Sequence, residues 1–258
     1  MEDKLFYTEE RRAEILSDLR VTRKVSVNEL SAKYSVSSAT IRSDLAELEA
    51  QGLLKRTHGG AIPVSGTSLE LGYGEKERIH KSEKLRIAAK AAECVSDGDT
   101  IAVDSGSTAY FFAEMLSEKK NLTVVTYDMR IAGVFDAFEG AKVILAGGVL
   151  RKGFYSCVGE FTTTTLNQLN VDKTFIATNA ISKKGNLGTP DPLQAEVKKK
   201  MLEIGARKYL LADGSKFETT SLVDFASIGD FDVIITDDSA PKERVEEIKE
   251  KGIEIITV

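Results

Sequence analysis

From residue 83 to the end of the chain, short apolar runs typical of strands alternate with segments of helical pattern. The expected strands are Thr100–Asp104, Leu122–Thr126, Lys142–Ala146, Lys173–Thr178, Lys208–Ala212, Asp232–Thr236 and Glu254–Val258. The expected helices lie near 83–96, 107–118, 128–137, 159–169, 191–205 and 241–251. Near-continuous apolar strands separated by helices favour an α/β fold with a mostly parallel sheet covered on both faces.

The beginning of the chain has a different pattern, typical of a module that lies on DNA. A helix is expected from about Thr8 to Leu19, and residues 25–61 then indicate two short helices, a tight turn and a small hairpin. Ser26 with Glu29 three residues later is a capping-box pattern that starts the first of those two helices. We predict a winged helix-turn-helix domain over 1–63, a linker containing Gly and Ser over 64–82, and a ligand-sensing domain over 83–258.

The second helix of the pair, about Ser38 to Gln51, has a polar outer face. Its apolar residues recur at helical spacing, so the opposite side near the N-terminal end is small, hydroxylated and cationic. Such a face suits a recognition helix, because small residues let the backbone enter the major groove and arginine can reach guanine or phosphate. The residues expected to contact double-stranded operator DNA are Ser37, Ser38, Ala39, Thr40, Arg42 and Ser43 in this helix, with Arg56 and His58 in the hairpin. The pattern also fits a three-helix module that binds protein, and His58 fits equally well as a turn residue.

Polar residues follow several predicted strands, at the edge of a parallel sheet where ligands bind. The loop 104–108 combines a glycine turn, hydroxyls and a helix start, whose unpaired N–H groups and positive dipole end can hold a phosphate. The residues expected to contact a ligand are Asp104, Ser105, Gly106, Ser107, Thr108, Thr126, Gly147, Gly148, Arg151, Asn179, Asp213 and Lys216. Hydroxyls, an amide, cations and carboxylates around one such loop suit a phosphorylated sugar. A capped helix start and ordinary turn chemistry are the competing interpretations.

Charge and cysteine content limit the function classes. The net charge is −5, yet residues 1–65 hold ten basic and ten acidic residues, so the acidic excess lies in the remainder. An acidic body repels DNA phosphate, whereas a neutral head with well-placed arginines can approach it. Cys94 and Cys157 have neither a disulfide nor a metal-type spacing, so reduced thiols and no metal site are expected. No nucleotide-cofactor motif is present, so no cofactor is predicted.

The chain shows no targeting or membrane signal. Its first residues are acidic and lack the apolar segment of a signal peptide. No apolar run approaches the ~20 residues that span a bilayer. A cytoplasmic location without membrane association is therefore expected.

Four segments together resemble one family of proteins. ERRAEIL, VSVNELSAKYSVSSATIRSDLAELEAQGLLKRTHGGA, DSGST and ADGSK look like the DeoR family of bacterial transcriptional regulators, over essentially the whole chain. The resemblance implies DNA binding by the first domain, and a ribose-5-phosphate-isomerase-like fold that senses sugar phosphates in the second. The matching ligand positions are the Asp104–Thr108 loop, Gly147-Gly148-Val149-Leu150-Arg151, and Asp213 with Ser215-Lys216.

Two positions depart from the family pattern. Ser43 stands where members usually have a second arginine, so a DNA contact is altered. Thr126-Tyr127 stands where Thr-Asn is usual, which indicates a different sugar-facing part of the pocket and a different ligand.

The expected function is a DNA-binding regulator, a repressor of carbohydrate-metabolism genes, controlled by a phosphorylated sugar. A homo-oligomer, dimer or tetramer, is expected because one small helix in one groove gives too few contacts for specific binding. The alternative is a sugar-phosphate isomerase-like enzyme with a DNA-binding head, in which Asp104 or Asp213 is the general base. A fused DNA-binding head has no use in a plain isomerase, so we expect no catalysis.

Overall fold

The computed structural model describes residues 8–22, 24–63, 67 and 70–258. The chain divides into two compact units, Met1–Leu69 and Glu70–Val258. The predicted linker 64–82 ends earlier than expected, because residues 70–82 belong to the second unit. They contain a helix and the start of another, and Tyr73 among them is only 3% exposed. The rest of that linker, apart from residue 67, lies outside the described residues.

The first unit is a winged helix-turn-helix. Its elements are α1 (Thr8–Thr22), β1 (Val25–Ser26), α2 (Val27–Tyr34), α3 (Ser38–Ala50), β2 (Leu54–Thr57) and β3 (Gly60–Pro63). The three strands form an antiparallel sheet in the order β1-β3-β2. The helices bury one apolar core that includes Ile15, Leu30, Ile41 and Leu45.

Local sequence signals set the ends of these helices. The predicted capping box is confirmed, since Ser26 Oγ accepts from Glu29 N at 3.2 Å and the Glu29 carboxylate accepts from Ser26 N at 3.3 Å. Ser35 supplies the left-handed residue of the turn, with a φ of 51°. Gly52 follows α3 with a φ of 72°, the left-handed conformation that glycine adopts readily after a helix. These caps and the turn set where α2 begins and ends and where α3 ends.

Gly60 is required where the wing meets β1. A Cβ at this position would lie 1.9 Å from the backbone oxygen of Val25. Backbone atoms cannot move aside as a flexible side chain can, so any larger residue would push β3 away from β1.

The second unit is an α/β domain built on a parallel sheet. Its elements are α4 (Tyr73–Arg78), α5 (Lys81–Glu93), β4 (Thr100–Val103), α6 (Ser107–Glu114), β5 (Thr123–Thr126), α7 (Met129–Asp136), β6 (Lys142–Leu145), β7 (Val149–Arg151), β8 (Ser156–Val158), α8 (Glu160–Leu166), β9 (Val171–Ala177), β10 (Ala180–Ile181), β11 (Asn186–Thr189), α9 (Pro192–Glu203), β12 (Gly205–Leu211), β13 (Val223–Ser227), β14 (Val233–Thr236), α10 (Lys242–Glu250) and β15 (Glu254–Thr257). Within residues 70–258, seven strands pair in parallel in the order β15-β14-β12-β9-β4-β5-β6. All seven predicted strands are confirmed, and apolar clusters cover both faces of the sheet.

Several elements were not predicted. Helix α4 lies in the predicted linker, β7 and β8 form a two-stranded hairpin, and β10, β11 and β13 form a small antiparallel sheet. These strands are short and lack a clear alternation of apolar and polar residues, which explains why the pattern did not show them. No helix in the described part of the chain has the length and apolar character needed to cross a membrane.

The strand order creates a crevice between β4 and β9. From β4 the chain continues outward through β5 to β6, whereas from β9 it continues in the other direction through β12 and β14 to β15. Loops that leave neighbouring strands in opposite directions open a space at the carboxyl ends of those strands, and parallel sheets bind ligands there.

Candidate DNA-binding face and ligand cleft

The outer face of α3 carries the side chains that the sequence assigned to DNA. Ser37, Ala39, Arg42 and Ser43 are exposed, and Ser38 and Thr40 are partly exposed. The Ser37 side chain caps the helix by accepting from Thr40 N at 3.1 Å, and the two hydroxyls lie 2.9 Å apart. Arg42 makes no ion pair among the described residues.

A buried ion-pair cluster holds this face against α1. Asp44 is 2% exposed and accepts from Arg11 Nε at 2.6 Å and from Arg12 Nε at 3.0 Å. Asp44 was not among the residues predicted from the sequence. A charged residue three places after Ile41 and one before Leu45, on the apolar side of an amphipathic helix, is a signal that could have identified it.

The wing is tied to the end of α3. Arg56 donates from Nε to Glu49 at 2.6 Å, and its backbone N–H donates to the same carboxylate at 2.8 Å. These hydrogen bonds lower the pKa of Glu49. Arg56 and His58 are both exposed, but the positive charge of Arg56 is partly neutralised by Glu49. Arg42 is therefore the better placed cation for a DNA phosphate or base.

A cleft of about 670 Å³, part of it open to solvent, lies at the carboxyl ends of β4 and β9. It contains seven of the residues that the sequence assigned to a ligand, which are Ser105, Gly106, Ser107, Thr108, Arg151, Asn179 and Lys216. The glycine turn is confirmed, since Gly106 has a φ of 112° immediately before α6 begins at Ser107. The start of α6, at Ser107 and Thr108, thus lines the cleft.

Asp104 does not line the cleft, contrary to the prediction. It is fully buried, where its carboxylate pairs with Lys198 Nζ and accepts from Tyr127 Oη and from Ala177 N, the last at 2.8 Å. Lys198 also donates to the carbonyl of Ala177 at 2.9 Å. Asp104 therefore joins α9 to β4, β5 and β9 beneath the site.

Thr126 and Tyr127 also face the interior. Both are fully buried, and Thr126 Oγ1 accepts from Asp128 N at 3.1 Å. Tyr127 Oη accepts from Ser105 Oγ at 3.1 Å, and its pKa is raised well above the ordinary value by burial and by Asp104. The departure from the family pattern at position 127 thus alters the support under the 104–108 loop and not the cleft wall.

The paired glycines and Asp213 are not among the residues that line the cleft. Gly147 and Gly148 are exposed, and a Cβ at Gly148 would lie 2.2 Å from Thr162 Oγ1. Gly148 is needed for this close packing on α8. Asp213 is 1% exposed, bonds the Ser215 N–H at 3.1 Å and lies 3.7 Å from Lys216 Nζ, so it orients Lys216. Burial raises the pKa of Asp213, but Lys216 and the Ser215 hydrogen bond outweigh it and the pKa is lowered.

Eleven further residues that were not predicted from the sequence also line the cleft. Those with polar groups are Glu70, Tyr73, Lys76, Lys84, Thr178, Gln194 and Lys198, and Leu71, Ile79, Phe154 and Ala177 add apolar surface. Glu70, Tyr73 and Lys76 lie in the predicted linker, and Lys84 and Lys198 look like ordinary surface lysines in the sequence. Their burial, 3% exposure for Lys84 and 1% for Lys198, comes only from tertiary packing.

Two of the lysines that line the cleft are shielded from solvent. Burial lowers the pKa of Lys76 to about 8, although the neighbouring Glu70 raises it in part. Burial and the positive charge of Lys216 lower the pKa of Lys84 to about 8 as well. A bound anion would stabilise the protonated form of both lysines. The arrangement therefore favours a small ligand with at least one strongly anionic group.

Neither carboxylate proposed as a general base is available to a ligand. Asp104 is fully buried against Lys198, and Asp213 lies outside the cleft lining. In the described part of the chain, no group of three or more His, Cys, Asp or Glu side chains is arranged to hold a metal ion.

Comparisons with known proteins agree with this two-part organisation. A family model described as a DeoR-like helix-turn-helix domain matches residues 11–67, and one described as a DeoR C terminal sensor domain matches residues 79–238. The chain therefore belongs to the DeoR family and is a transcriptional regulator, not an enzyme.

Curated relatives match over most of both chains. The putative aga operon transcriptional repressor of Escherichia coli O157:H7 is 32% identical, over 97% of this chain and 94% of its own. The HTH-type transcriptional regulator GlpR of Haloferax volcanii is 36% identical, over 90% of each. The glycerol-3-phosphate regulon repressor of Escherichia coli K12 is 34% identical, over 84% of this chain and 86% of its own.

Among solved structures, ribose 5-phosphate isomerase A of Methanocaldococcus jannaschii matches with a TM-score of 0.40 and 17% identity. The match covers 54% of this chain and 55% of that one.

Proposed function

We propose that this chain represses carbohydrate-metabolism genes and that a phosphorylated sugar bound in the cleft controls its binding to double-stranded operator DNA. The main support for this proposal is a set of cations that line the cleft with the start of α6, namely Lys76, Lys84, Arg151 and Lys216. A helix start with hydroxyls and nearby cations is a site for a phosphate group. One relative is named a glycerol-3-phosphate regulon repressor, which supports repression as the activity.

The first unit acts as the DNA-reading part in this proposal. Arg42 and the small residues around it enter the major groove, and Arg56 and His58 contact the backbone from the wing. Two or more copies of the chain bind together, because one small helix in one groove gives too few contacts for specific binding. Ligand binding changes operator affinity because the ligand binds more tightly to one arrangement of the protein than to the other.

The test uses a duplex selected from random sequences by the full chain. We expect a phosphorylated sugar to change the affinity for that duplex by at least about fivefold, the lower end of typical allosteric coupling. The measurement is fluorescence anisotropy with a panel of triose, pentose, hexose and amino-sugar phosphates, and the unphosphorylated sugars serve as controls. No change with any phosphate would refute the proposal.

A substitution in the cleft tests whether the ligand acts on DNA binding from this site. Lys216→Ala should bind the duplex as the wild type does but lose the ligand response, because Lys216 lines the cleft and lies in the second unit. The matched control is Lys249→Ala, which removes a half-exposed lysine from α10. If Lys216→Ala responded normally, the assignment of the cleft as the ligand site would be wrong.

A further inference from the structure

The beginning of the second unit supplies an internal anion to the cleft. Among the residues that line the cleft in the described part of the chain, Glu70 is the only carboxylate. Glu70 accepts from Lys76 Nζ at 2.6 Å and from a guanidinium nitrogen of Arg151. Arg151 is held on its other side by Asp191, which accepts from Nε at 2.8 Å. Two of the cations that a phosphate needs are therefore already paired with one carboxylate.

The backbone of the same segment engages the other donors. The carbonyl of Lys76 accepts from Ser107 Oγ at 3.1 Å and from Lys84 Nζ. Lys84 Nζ also donates to the carbonyl of Ile79 at 2.5 Å. Residues 70–79 thus occupy the hydroxyl at the start of α6 as well as the ammonium group beside it.

Glu70 is held as an ion within this arrangement. Its side chain is 8% exposed, as is that of Arg151. Burial raises the pKa of Glu70, but the charges and hydrogen bonds of Lys76 and Arg151 outweigh burial, so the pKa is lowered. Carboxylate and phosphate oxygens bind the guanidinium fork in the same way, so the two compete for it directly.

We propose that Glu70 is a tethered competitor of the ligand, which must displace it from Lys76 and Arg151 in order to bind. Glu70 thereby sets the affinity of the cleft and favours ligands whose anionic group outcompetes a carboxylate. The inference rests on the proposed function, since it requires an anion site in this cleft.

The experiment measures binding of inorganic phosphate to the full chain by isothermal titration calorimetry at constant ionic strength. Glu70→Gln keeps the size of the side chain and one acceptor oxygen, but it removes the competing charge and replaces the second acceptor with an NH2 group that cannot accept from Lys76 or Arg151. We expect it to bind phosphate at least about tenfold more tightly than the wild type, the effect of one charge-assisted contact. The matched control, Glu93→Gln, makes the same charge change on an exposed residue of α5 and should bind as the wild type does. Thermal unfolding without phosphate checks that both variants are folded.

The outcomes separate this inference from the proposed function. Equal or weaker phosphate binding by Glu70→Gln overturns the inference, because Glu70 would then position the cations and not compete for them. The inference is also overturned if neither the wild type nor Glu70→Gln binds phosphate. The proposed function fails on a different observation, namely no sugar phosphate altering operator binding by the wild type.

Discussion

The recognition face and the ligand cleft are built in opposite ways. The proposed recognition face lies at the start of one helix, where Ala39, Arg42 and Ser43 have their side chains in solvent. The cleft draws on chain segments from Glu70 to Lys216, and several of its polar groups are buried. A face on one helix tolerates side-chain changes without loss of the fold, whereas a cleft assembled from distant segments depends on the network beneath it.

Removal of the carboxylate beneath the cleft should give the largest effect. Asp104→Ala leaves the ammonium group of Lys198 buried and unpaired, which costs about 3–5 kcal/mol of unfolding free energy. Urea unfolding, monitored by circular dichroism, measures this loss of unfolding free energy. Asp136→Ala, at an exposed position of α7, is the control and should stay within about 0.5 kcal/mol of the wild type. A stable Asp104→Ala protein would show that the cleft does not depend on this buried pair.

Removal of the exposed arginine of α3 should change DNA binding without changing stability. Arg42→Ala should weaken binding to the selected duplex by about 1–3 kcal/mol, with an unchanged unfolding midpoint. Arg56→Ala should weaken DNA binding less than Arg42→Ala does, because Glu49 already neutralises part of the charge of Arg56. Arg207→Ala, at an exposed residue of the second unit, controls for net charge. If Arg42→Ala and Arg207→Ala lost the same DNA affinity, α3 would have no special role in DNA binding.

Ligand affinity should decrease with rising pH above about 8. The pKa values of Lys76 and Lys84 are lowered to about 8, so both are charged below pH 7 and need no proton to bind an anion. Above pH 8 each must take up a proton on binding, and affinity falls by up to about tenfold per pH unit for each lysine. The charged groups that act on Lys76 are Glu70, Lys216 and Arg151. Those that act on Lys84 are Lys216, Asp213, Lys76 and Glu83.

Calorimetry with inorganic phosphate between pH 6.5 and 9 measures this dependence. A phosphate monoester or inorganic phosphate is mostly a dianion over the upper part of that range, so the ligand itself contributes little there. Lys84→Arg keeps its charge at every pH and should make the dependence shallower. A flat profile in the wild type would mean that neither lysine contacts the anion.

The smallest expected change is at Ser43, where members of the family usually have arginine. Ser43→Arg adds a cation to the exposed face of α3 and should increase the salt dependence of DNA binding by about one unit of slope. It should also change the sequence selected from random duplexes. Ser117→Arg makes the same charge change at an exposed position of the second unit and should do neither. An unchanged slope would place position 43 outside the DNA contact.

The fold was largely predictable because its signals are local. Helix periodicity, the Ser26 capping box and seven apolar runs each depend on neighbouring residues, and each corresponds to an element of the structure. The glycine turn before α6 was predictable for the same reason.

The cleft was only partly predictable. Pattern alone cannot tell Asp104, which is buried against Lys198, from a residue that faces a ligand. Nor does it reveal that Glu70 and Lys76, in an apparent linker, pack into the cleft wall. Such assignments depend on pairings between residues as far apart as 104 and 198, which the sequence does not show.

The most direct test of the account measures one coupling from both directions. The affinity of the active sugar phosphate is determined by calorimetry for the protein alone and for the protein saturated with its selected duplex. Linkage requires DNA to change ligand affinity by the same factor by which ligand changes DNA affinity, at least about fivefold here. Equal ligand affinities with and without DNA would contradict the claim that the cleft controls the recognition helix.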